Sequence, residues 1–268
     1  MYHISVLTGH QDEDDFGERL SDIAEVEYCS AEDEDELIDQ LDGTDILICD
    51  DEPVSGRVLE ETDDLKLIVV MGEETSHIDL QTAQDRNIKV VCLHDYFDED
   101  VADHACAMIL ALLRQIPEYA YDVRDNNRWQ FGSVPWPLHR VSANLIGIVG
   151  FGRIGQLVAE RLRPFGCGIQ AYDPFVSEKT MLDNGVTPVD FDKLLKTSDL
   201  ITLHLPVEEA TQNMFQEEQL ERMKKGSMLV NCGSGGLVDQ SVSPGGEEAE
   251  NERGGRPLVF EAGRWPQG

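Results

Sequence analysis

The chain has 268 residues, 41% of them hydrophobic and 28% charged, and its 53 acidic and 21 basic side chains give a net charge of −32 at pH 7. This length suits one large domain or two smaller ones. There is no run of 18 apolar residues and no basic, signal-like start, so we expect neither a membrane span nor a secretion signal. No basic face is visible, so we expect no nucleic-acid partner.

The acidic residues occur in short clusters along the whole chain rather than in one tract. This dispersal favours a solvated, halophile-like acidic surface, because salt screens the self-repulsion of such a charge. A tract that binds a basic partner is the alternative. Residues 1–100 carry a net charge of −26 and residues 101–268 only −6, which divides the chain near residue 100. The less acidic part suits a segment that binds an anionic cofactor.

The cysteines show no CxxC spacing, and most lie in apolar runs. They therefore predict buried, reduced thiols in a cytoplasmic setting, with neither a disulfide framework nor a metal site. The six positions are Cys29, Cys49, Cys92, Cys106, Cys167 and Cys232.

The first hundred residues alternate short apolar runs with helical patterns. This alternation predicts a doubly wound parallel sheet. The predicted strands are Ile4–Leu7, Val26–Cys29, Ile46–Cys49, Leu67–Val70 and Lys89–Cys92, and the helices include Glu34–Leu41 and Leu80–Arg86.

A long apolar stripe then runs through VADHACAMILALLRQI and predicts a helix that ends near Pro117. Its length and position suggest a spine that joins two domains, and plain core packing is the alternative. The following stretch, NNRWQFGSVPWPLHR, is rich in Trp and Pro and predicts an extended connection.

Residues 144–173 are the most informative part of the chain. A buried strand at 145–149 ends at Gly150, which opens the pattern Gly150-x-Gly152-x-x-Gly155, and a second strand at 169–172 stops at Asp173. The helical positions between the two strands are Ile154, Leu157, Val158 and Leu162. Strand, glycine turn, helix, strand and acid in this order are typical of a dinucleotide-binding unit.

Each residue of this pattern has a physical role. Gly150 permits the tight turn, Gly152 has no Cβ that would block a pyrophosphate, and Gly155 lets the helix pack closely on the strand. The helix N-terminus offers free N–H groups to the phosphates. Asp173 can accept hydrogen bonds from a ribose diol and would repel a 2′-phosphate, which favours NAD over NADP.

The pattern of helices and strands continues to Asp239 and then stops. A helix near Phe191–Lys196, a strand at Leu200–Leu203, a helix at Gln219–Met223 and a strand at Ser227–Val230 are predicted. Residues 240–268 hold six Gly and three Pro and show neither helix nor strand periodicity, as in a disordered linker. The sequence thus predicts an α/β protein with two doubly wound, Rossmann-like parallel-sheet domains, 1–100 and 101–239. The second domain is incomplete at its C-terminal end, and a degenerate or disordered tail, 240–268, follows it.

From about Leu65 to Asp239 the chain resembles the NAD-dependent D-2-hydroxyacid dehydrogenases, particularly their phosphoglycerate dehydrogenase and C-terminal-binding-protein branches. The matching pieces, in family order, are LKLIVV…HIDLQTA, VADHACAMILALLR, the glycine loop with YDP, SDLITLHLP and MKKGSMLVNCGSGGLVD. The resemblance implies an oxidoreductase that exchanges a hydride between NAD and a 2-hydroxy or 2-oxo acid. It also implies a substrate domain, an NAD-binding domain, a cleft between them and a homodimer formed through the second domain.

The resemblance also assigns cofactor contacts. Arg153 and Ile154 would meet the pyrophosphate beside the three glycines, and Asp173 would meet the adenosine ribose. The nicotinamide half would be lined by two turns, His204, Leu205 and Pro206 in one and Cys232, Gly233 and Ser234 in the other.

Family chemistry needs an arginine, a glutamate and a histidine, and this sequence departs at all three. Ser234 occupies the arginine position of N-x-[AS]-R-G and cannot form a bidentate carboxylate pair. In a faint echo of DVFxxEP at 258–263, Gly263 falls at the glutamate position, with Glu261 as a displaced substitute. No histidine matches the catalytic position, which would lie beyond Gly268, so the chain looks truncated.

A fourth departure concerns the loop Gly72-Glu73-Glu74-Thr75, where the family has a Gly-Val-Gly-like turn that takes the substrate carboxylate. Two glutamates there would repel an acid. Three interpretations remain: an impaired dehydrogenase, a non-catalytic NAD(H)-binding regulatory protein, or a decayed copy whose residues 233–268 are scrambled.

Overall fold

The structure, a computed structural model, describes residues 1–7, 16–72, 75–93, 95–129, 138–239, 241 and 258–261. The chain divides into two compact units, Met1–Tyr96 and Phe97–Gly268. Each unit is a parallel sheet flanked by helices, so the predicted α/β class with two doubly wound sheets is confirmed.

The first unit contains a five-stranded sheet in the order β2-β1-β3-β4-β5, in which every pair is parallel. Its elements are β1 (Tyr2–Leu7), α1 (Phe16–Leu20), β2 (Ala24–Cys29), α2 (Glu34–Gln40), β3 (Ile46–Cys49), α3 (Gly56–Glu61), β4 (Leu67–Val70), α4 (Leu80–Asp85) and β5 (Lys89–Cys92).

Both faces of this first sheet are covered, which explains why its inner strands β3 and β4 are apolar without alternation. One core joins Leu47 and Ile68 of the sheet to α2, α3 and α4, and a smaller core joins Val6 and Ile48 to Leu20 of α1. Side-chain caps start the helices; for example, Asp33 accepts a hydrogen bond from the amide of Glu36 at 3.0 Å.

The second unit contains a six-stranded parallel sheet in the order β11-β10-β9-β6-β7-β8. Its elements are α5 (Asp98–Leu113), α6 (Ile116–Arg124), β6 (Leu145–Val149), α7 (Arg153–Leu162), β7 (Gly168–Tyr172), α8 (Glu178–Asp183), β8 (Thr187–Pro188), α9 (Phe191–Thr197), β9 (Leu200–Leu203), α10 (Glu217–Arg222), β10 (Met228–Asn231) and β11 (Leu258–Glu261).

Two cores lie on opposite faces of this second sheet. Ile146 and Ile148 pack against α5 and α7, whereas Ile201 and Leu229 pack with α9 and α10. Read from β8, the strand order is third, second, first, fourth, fifth and sixth along the chain, which is the order of doubly wound dinucleotide-binding sheets.

Two details of the prediction are wrong. The long helix ends at Leu113 rather than near Pro117, because Gln115 adopts a left-handed conformation (φ 54°) and Pro117 lies in the first turn of α6. The tail also contains a strand, β11, although residues 240–268 showed no strand periodicity. Its backbone pairs with β10 in parallel register, Met228 opposite Leu258, so the neighbouring strand supplies what local sequence does not.

Several predictions fall outside the described residues: Glu73 and Glu74 of the first-unit loop, positions 130–137 of the extended connection, and Gly263. All six cysteines are free thiols. Within the described ranges, no helix has the length and apolar character needed to cross a bilayer, and no group of three or more His, Cys, Asp or Glu is placed to hold a metal ion.

Candidate functional site

The order of the second sheet has one topological switch point, between β6 and β9. These two strands are direct neighbours, and the chain leaves them toward opposite edges of the sheet. Such a divergence opens a crevice beyond the carboxyl ends of the two strands, where α/β proteins bind ligands. Gly150 follows β6 and His204 follows β9, so this edge brings together both halves of the predicted site.

Gly150 lies in a position that only glycine fits. Its φ is +90°, and its amide donates to the carbonyl of Tyr172 at 3.0 Å. A Cβ built on it would lie 2.7 Å from the carbonyl carbon of His204 and 2.8 Å from Cδ2 of Leu205. The first glycine therefore lets the turn after β6 pass directly against the end of β9.

The other two glycines of the motif have different surroundings. A Cβ on Gly152 would meet nothing within 4 Å, so open space lies beside the residue that precedes α7. A Cβ on Gly155 would collide with the backbone of Gly150 and lie 3.4 Å from Ile148. Thus Gly155 serves the packing of α7 on β6, whereas Gly152 leaves room for a group approaching the helix N-terminus. This geometry fits a pyrophosphate.

Asp173 ties the end of β7 to the glycine turn. One carboxylate oxygen accepts from the amide of Phe151 at 2.8 Å, and the other accepts from the amides of Phe175 at 2.8 Å and Val176 at 3.2 Å. A carboxylate oxygen can accept more than one hydrogen bond, so these bonds fix its position and leave it able to accept from a hydroxyl.

Arg153, the first residue of α7, donates from Nε to Asp98 at 2.7 Å. Asp98 is buried at the first position of α5, where the helix dipole favours a carboxylate. Sequence reasoning missed this partner, because no local pattern links positions 55 residues apart. Next to Arg153, Ile154 is partly buried and packs on the core under α5 and α7.

His204 is held by one residue of β6 and one of β9. Its amide donates to Val149 at 2.8 Å, and its Nε2 lies 3.0 Å from the hydroxyl of the fully buried Thr202. Burial lowers the pKa of His204 to about 4, so the ring is neutral at pH 7. Its Nδ1 is buried without a hydrogen-bond partner among the described residues. Leu205 is partly buried in the second core, and Pro206 is exposed.

The turn after β10 is built around Asn231, which is 1% exposed. Its side chain accepts from the amide of Gly233 at 3.1 Å and donates to the carbonyl of Ser234 at 3.0 Å. Burial raises the pKa of Cys232 to about 11, so this thiol stays protonated. Ser234 is exposed at the start of a short 3-10 turn and makes no capping hydrogen bond. The turn after β10 is therefore formed, and the side chain that it exposes at position 234 is a neutral hydroxyl.

The fold and this switch point define a dinucleotide-binding α/β protein. Residues 106–242 match the profile of the NAD binding domain of D-isomer specific 2-hydroxyacid dehydrogenases. A glycerate dehydrogenase of Methylorubrum extorquens is 33% identical over 219 residues, which cover 81% of this chain and 67% of that protein. The chain belongs to the D-isomer specific 2-hydroxyacid dehydrogenase family, whose members are NAD-dependent oxidoreductases acting on CH–OH groups.

Other similar proteins support the same family assignment. A D-3-phosphoglycerate dehydrogenase of Methanocaldococcus jannaschii is 31% identical, and the match covers 83% of this chain but only 42% of that protein. The D-lactate dehydrogenase of Aquifex aeolicus, solved with NAD and lactic acid, superposes with a TM-score of 0.74 at 27% identity and covers 89% of this chain and 71% of that one. NAD is the cofactor of the matched domain. Which residues of this chain contact it stays a prediction.

Proposed function

We propose that the second unit binds NAD(H) at the switch point between β6 and β9, and that hydride transfer to a 2-oxo acid is impaired in this chain. One observation carries the second half of the proposal. The turn after β10 keeps its supporting Asn231, but the exposed residue at the family's arginine position is Ser234. NAD supplies the hydride chemistry, and the chain binds and orients it.

The proposed contacts follow the geometry of the site. Gly152 and the N-terminus of α7, with Arg153 and Ile154, hold the pyrophosphate. Asp173 binds the adenosine ribose. The nicotinamide half lies against two turns, His204–Pro206 and Cys232–Ser234.

Thermal unfolding with added nucleotide tests cofactor binding. A ligand that binds only the folded state stabilises it by ~2.7 kcal/mol at a concentration of 100 Kd. We therefore expect millimolar NADH to raise the Tm clearly, and NADPH to raise it less, because the carboxylate of Asp173 repels a 2′-phosphate. An unchanged Tm at millimolar NADH would remove the proposal.

The impairment follows from the lost charge. Negative charge develops on the substrate oxygen during hydride transfer, and a fixed cation stabilises it. A charge-assisted hydrogen bond contributes ~1.5–3 kcal/mol, and serine replaces such a donor with a neutral one. The turn after β10 is still formed by the hydrogen bonds of Asn231, so an arginine introduced at position 234 would be held by the same turn.

The test is Ser234→Arg in the NADH-loaded protein. We expect the affinity for short 2-oxo acids to rise by about tenfold or more, since each ~1.4 kcal/mol is a factor of ten. Ser142→Arg is the matched control, because Ser142 is exposed before β6, at the amino ends of the strands. Equal gains in both variants would reflect net charge alone. Tight NADH binding without turnover in wild type would identify a non-catalytic NAD(H)-responsive protein.

We also propose a homodimer formed through the second unit. Helix α6 has no buried residue, and Ile116, Tyr121 and Val123 on it are 56%, 49% and 41% exposed. Covering such apolar surface is favourable. Light scattering should report twice the chain mass, and Tyr121→Glu should shift the protein toward monomer. A wild-type protein of single-chain mass would contradict this.

A cytoplasmic setting is part of the same proposal. It is supported by the six free thiols, since a reducing compartment keeps cysteines unpaired. Alkylation of the natively expressed protein, followed by mass spectrometry, should find all six thiols reduced. Paired cysteines would argue against it.

A further inference from the structure

Asp98 is a buried carboxylate at the first residue of α5, and the half-exposed Arg153 is the first residue of α7. The Nε of Arg153 donates to Asp98 at 2.7 Å. A buried carboxylate is costly unless a cation compensates its charge, so Asp98 depends on this contact. The contact also brings the two helix N-termini together. Arg153 directly follows Gly152, beside which lies open space.

The first turns of α5 are fixed on α7 by further contacts. Arg161, in the last turn of α7, pairs with Glu99 and, at 2.5 Å, with Asp103, both on α5. Ala105 of α5 is fully buried in the core that the two helices share. Asp98 therefore stands on a helix whose position relative to α7 is already set.

We propose that Asp98 is a positioning residue for the cofactor's pyrophosphate, because it holds the guanidinium of Arg153 at the N-terminus of α7 before the nucleotide binds. This rests on the proposed function, in which the pyrophosphate lies at that N-terminus. A long arginine side chain loses rotamer freedom when it meets a ligand, and this loss weakens binding. With its Nε bonded to Asp98, Arg153 is ordered in advance, so less entropy is lost on binding.

The charge of Asp98 acts in the opposite direction, since two anions repel each other. Two features of the structure reduce this repulsion. Arg153 compensates the carboxylate at 2.7 Å, and the partial positive charge of the α5 N-terminus lies beside it. We therefore expect the ordering of Arg153 to outweigh the repulsion, so that removal of the Asp98 carboxylate weakens binding.

Asp98→Ala tests this, with calorimetric titration of NADH and of ADP-ribose, which contains the pyrophosphate but no nicotinamide. We expect both affinities to fall by between about 2- and 12-fold, equivalent to ~0.5–1.5 kcal/mol for one side chain that must be ordered on binding. Asp98→Asn should lose less, because its amide oxygen can still accept from the Nε of Arg153. Higher affinity in either variant would mean that repulsion dominates, and would overturn the proposal.

A double-mutant cycle shows whether Asp98 acts through Arg153. In the Arg153→Ala background, Asp98→Ala should cause no further fall in affinity, since the side chain to be positioned is absent. If Asp98 served only the stability of α5, its removal would lower the affinity in both backgrounds, which would contradict the proposal. Asp100→Ala is the matched control, because Asp100 is an exposed acid in the same first turn of α5. It should leave both affinities unchanged.

The outcomes separate the two proposals. If wild type and Asp98→Ala bind ADP-ribose equally well, the role of Asp98 is wrong and the cofactor site stands. If wild type binds neither nucleotide at millimolar concentration, the proposed function is wrong and this inference is wrong with it. A loss of the same size in Asp100→Ala would assign the effect to the charge of the helix rather than to the contact with Arg153, and would also overturn the inference.

Discussion

The two units share an architecture and differ in the loops at the carboxyl edges of their sheets. Each sheet has a switch point, between β1 and β3 in the first unit and between β6 and β9 in the second. In the second unit a glycine turn and a helix N-terminus follow β6, whereas in the first unit Asp50, Asp51 and Glu52 follow β3. Topology thus provides a crevice twice, and loop chemistry decides which one suits an anionic nucleotide.

Charge sharpens this difference. Residues 1–96 hold 28 acids and 5 bases, a net charge of −23, while the longer segment 97–268 holds 25 acids and 16 bases, a net charge of −9. A field of one sign repels a ligand of the same sign before any contact forms. The segment that matches the NAD-binding domain is therefore also the less repulsive one.

The largest expected effect is at the glycine turn. Gly150→Val would force a β-branched residue to φ +90° and place its Cβ 2.7 Å from the carbonyl carbon of His204. We expect a loss of ~2–4 kcal/mol of unfolding free energy, since strain and overpacking add. NADH binding should disappear. Denaturant unfolding and nucleotide titration measure both.

Gly152→Ala separates the fold from the ligand site at the same turn. Nothing lies within 4 Å of its Cβ and its φ is −71°, so stability should stay within ~0.5 kcal/mol of wild type. NADH affinity should nevertheless fall, because the methyl group would stand where the pyrophosphate approaches. Equal losses of stability in Gly150→Val and Gly152→Ala would contradict the different roles that we assign to these two glycines.

Most strands of the two sheets could be predicted closely from sequence, although β8 and β11 were not predicted. β3, β4, β5 and β9 begin and end at the predicted residues, because a short apolar run bounded by polar residues leaves little choice in a sheet covered on both faces. The elements that were not predicted depend on other parts of the fold rather than on their own sequence. Helix α6 was not predicted, because the long helical pattern before it was expected to continue to Pro117, and β11 requires β10 as its partner.

In the candidate site, sequence could locate backbone requirements but not distant partners. Gly150 and Gly155 were identified because the turn and the packing of α7 demand them locally. Asp98 and Thr202 were missed, since their roles follow from contacts that only the fold creates. Which residues contact the cofactor is a prediction for experiment.

The next expected effect depends on pH and concerns His204, the residue that follows β9. Burial lowers the folded-state pKa of His204 from 6.5 to about 4. Between these values the unfolded chain binds a proton that the folded protein excludes, so His204 should remove ~1.4 kcal/mol of stability per unit of falling pH. The stability that the neutral, buried His204 ring contributes is fully present above pH 6.5 and is lost as the pH falls toward 4.

His204→Asn isolates this contribution from the many carboxylates. The slope of unfolding free energy against pH from 6.5 to 4 should be lower in the variant than in wild type. The exposed His139→Asn should keep the wild-type slope. Parallel curves for wild type and His204→Asn would mean that the ring titrates normally when folded.

A smaller effect is expected at the residue that follows β7. Asp173→Asn removes the charge from a group that accepts three backbone amides, so we expect ~1–2 kcal/mol of destabilisation. The preference for NADH over NADPH should narrow by about tenfold, since the repulsion of a 2′-phosphate is gone. Asp183→Asn, exposed at the end of α8, should change neither quantity. An unaltered preference in Asp173→Asn would assign nucleotide selection to another residue.

The smallest effect tests the charge difference between the units directly. Raising the salt from 0.1 to 1 M shortens the screening length from ~10 to ~3 Å, which weakens repulsion between exposed carboxylates. Hydrogen exchange followed by mass spectrometry reports each unit separately, and β1 to β5 should gain ~0.5–1 kcal/mol of protection while β6 to β10 gain less. Glu27→Lys, on the exposed edge strand β2, should reduce the salt response of the first unit alone. Equal gains in both units would mean that salt acts through general exclusion from the protein surface, and the uneven distribution of acids would then not govern stability.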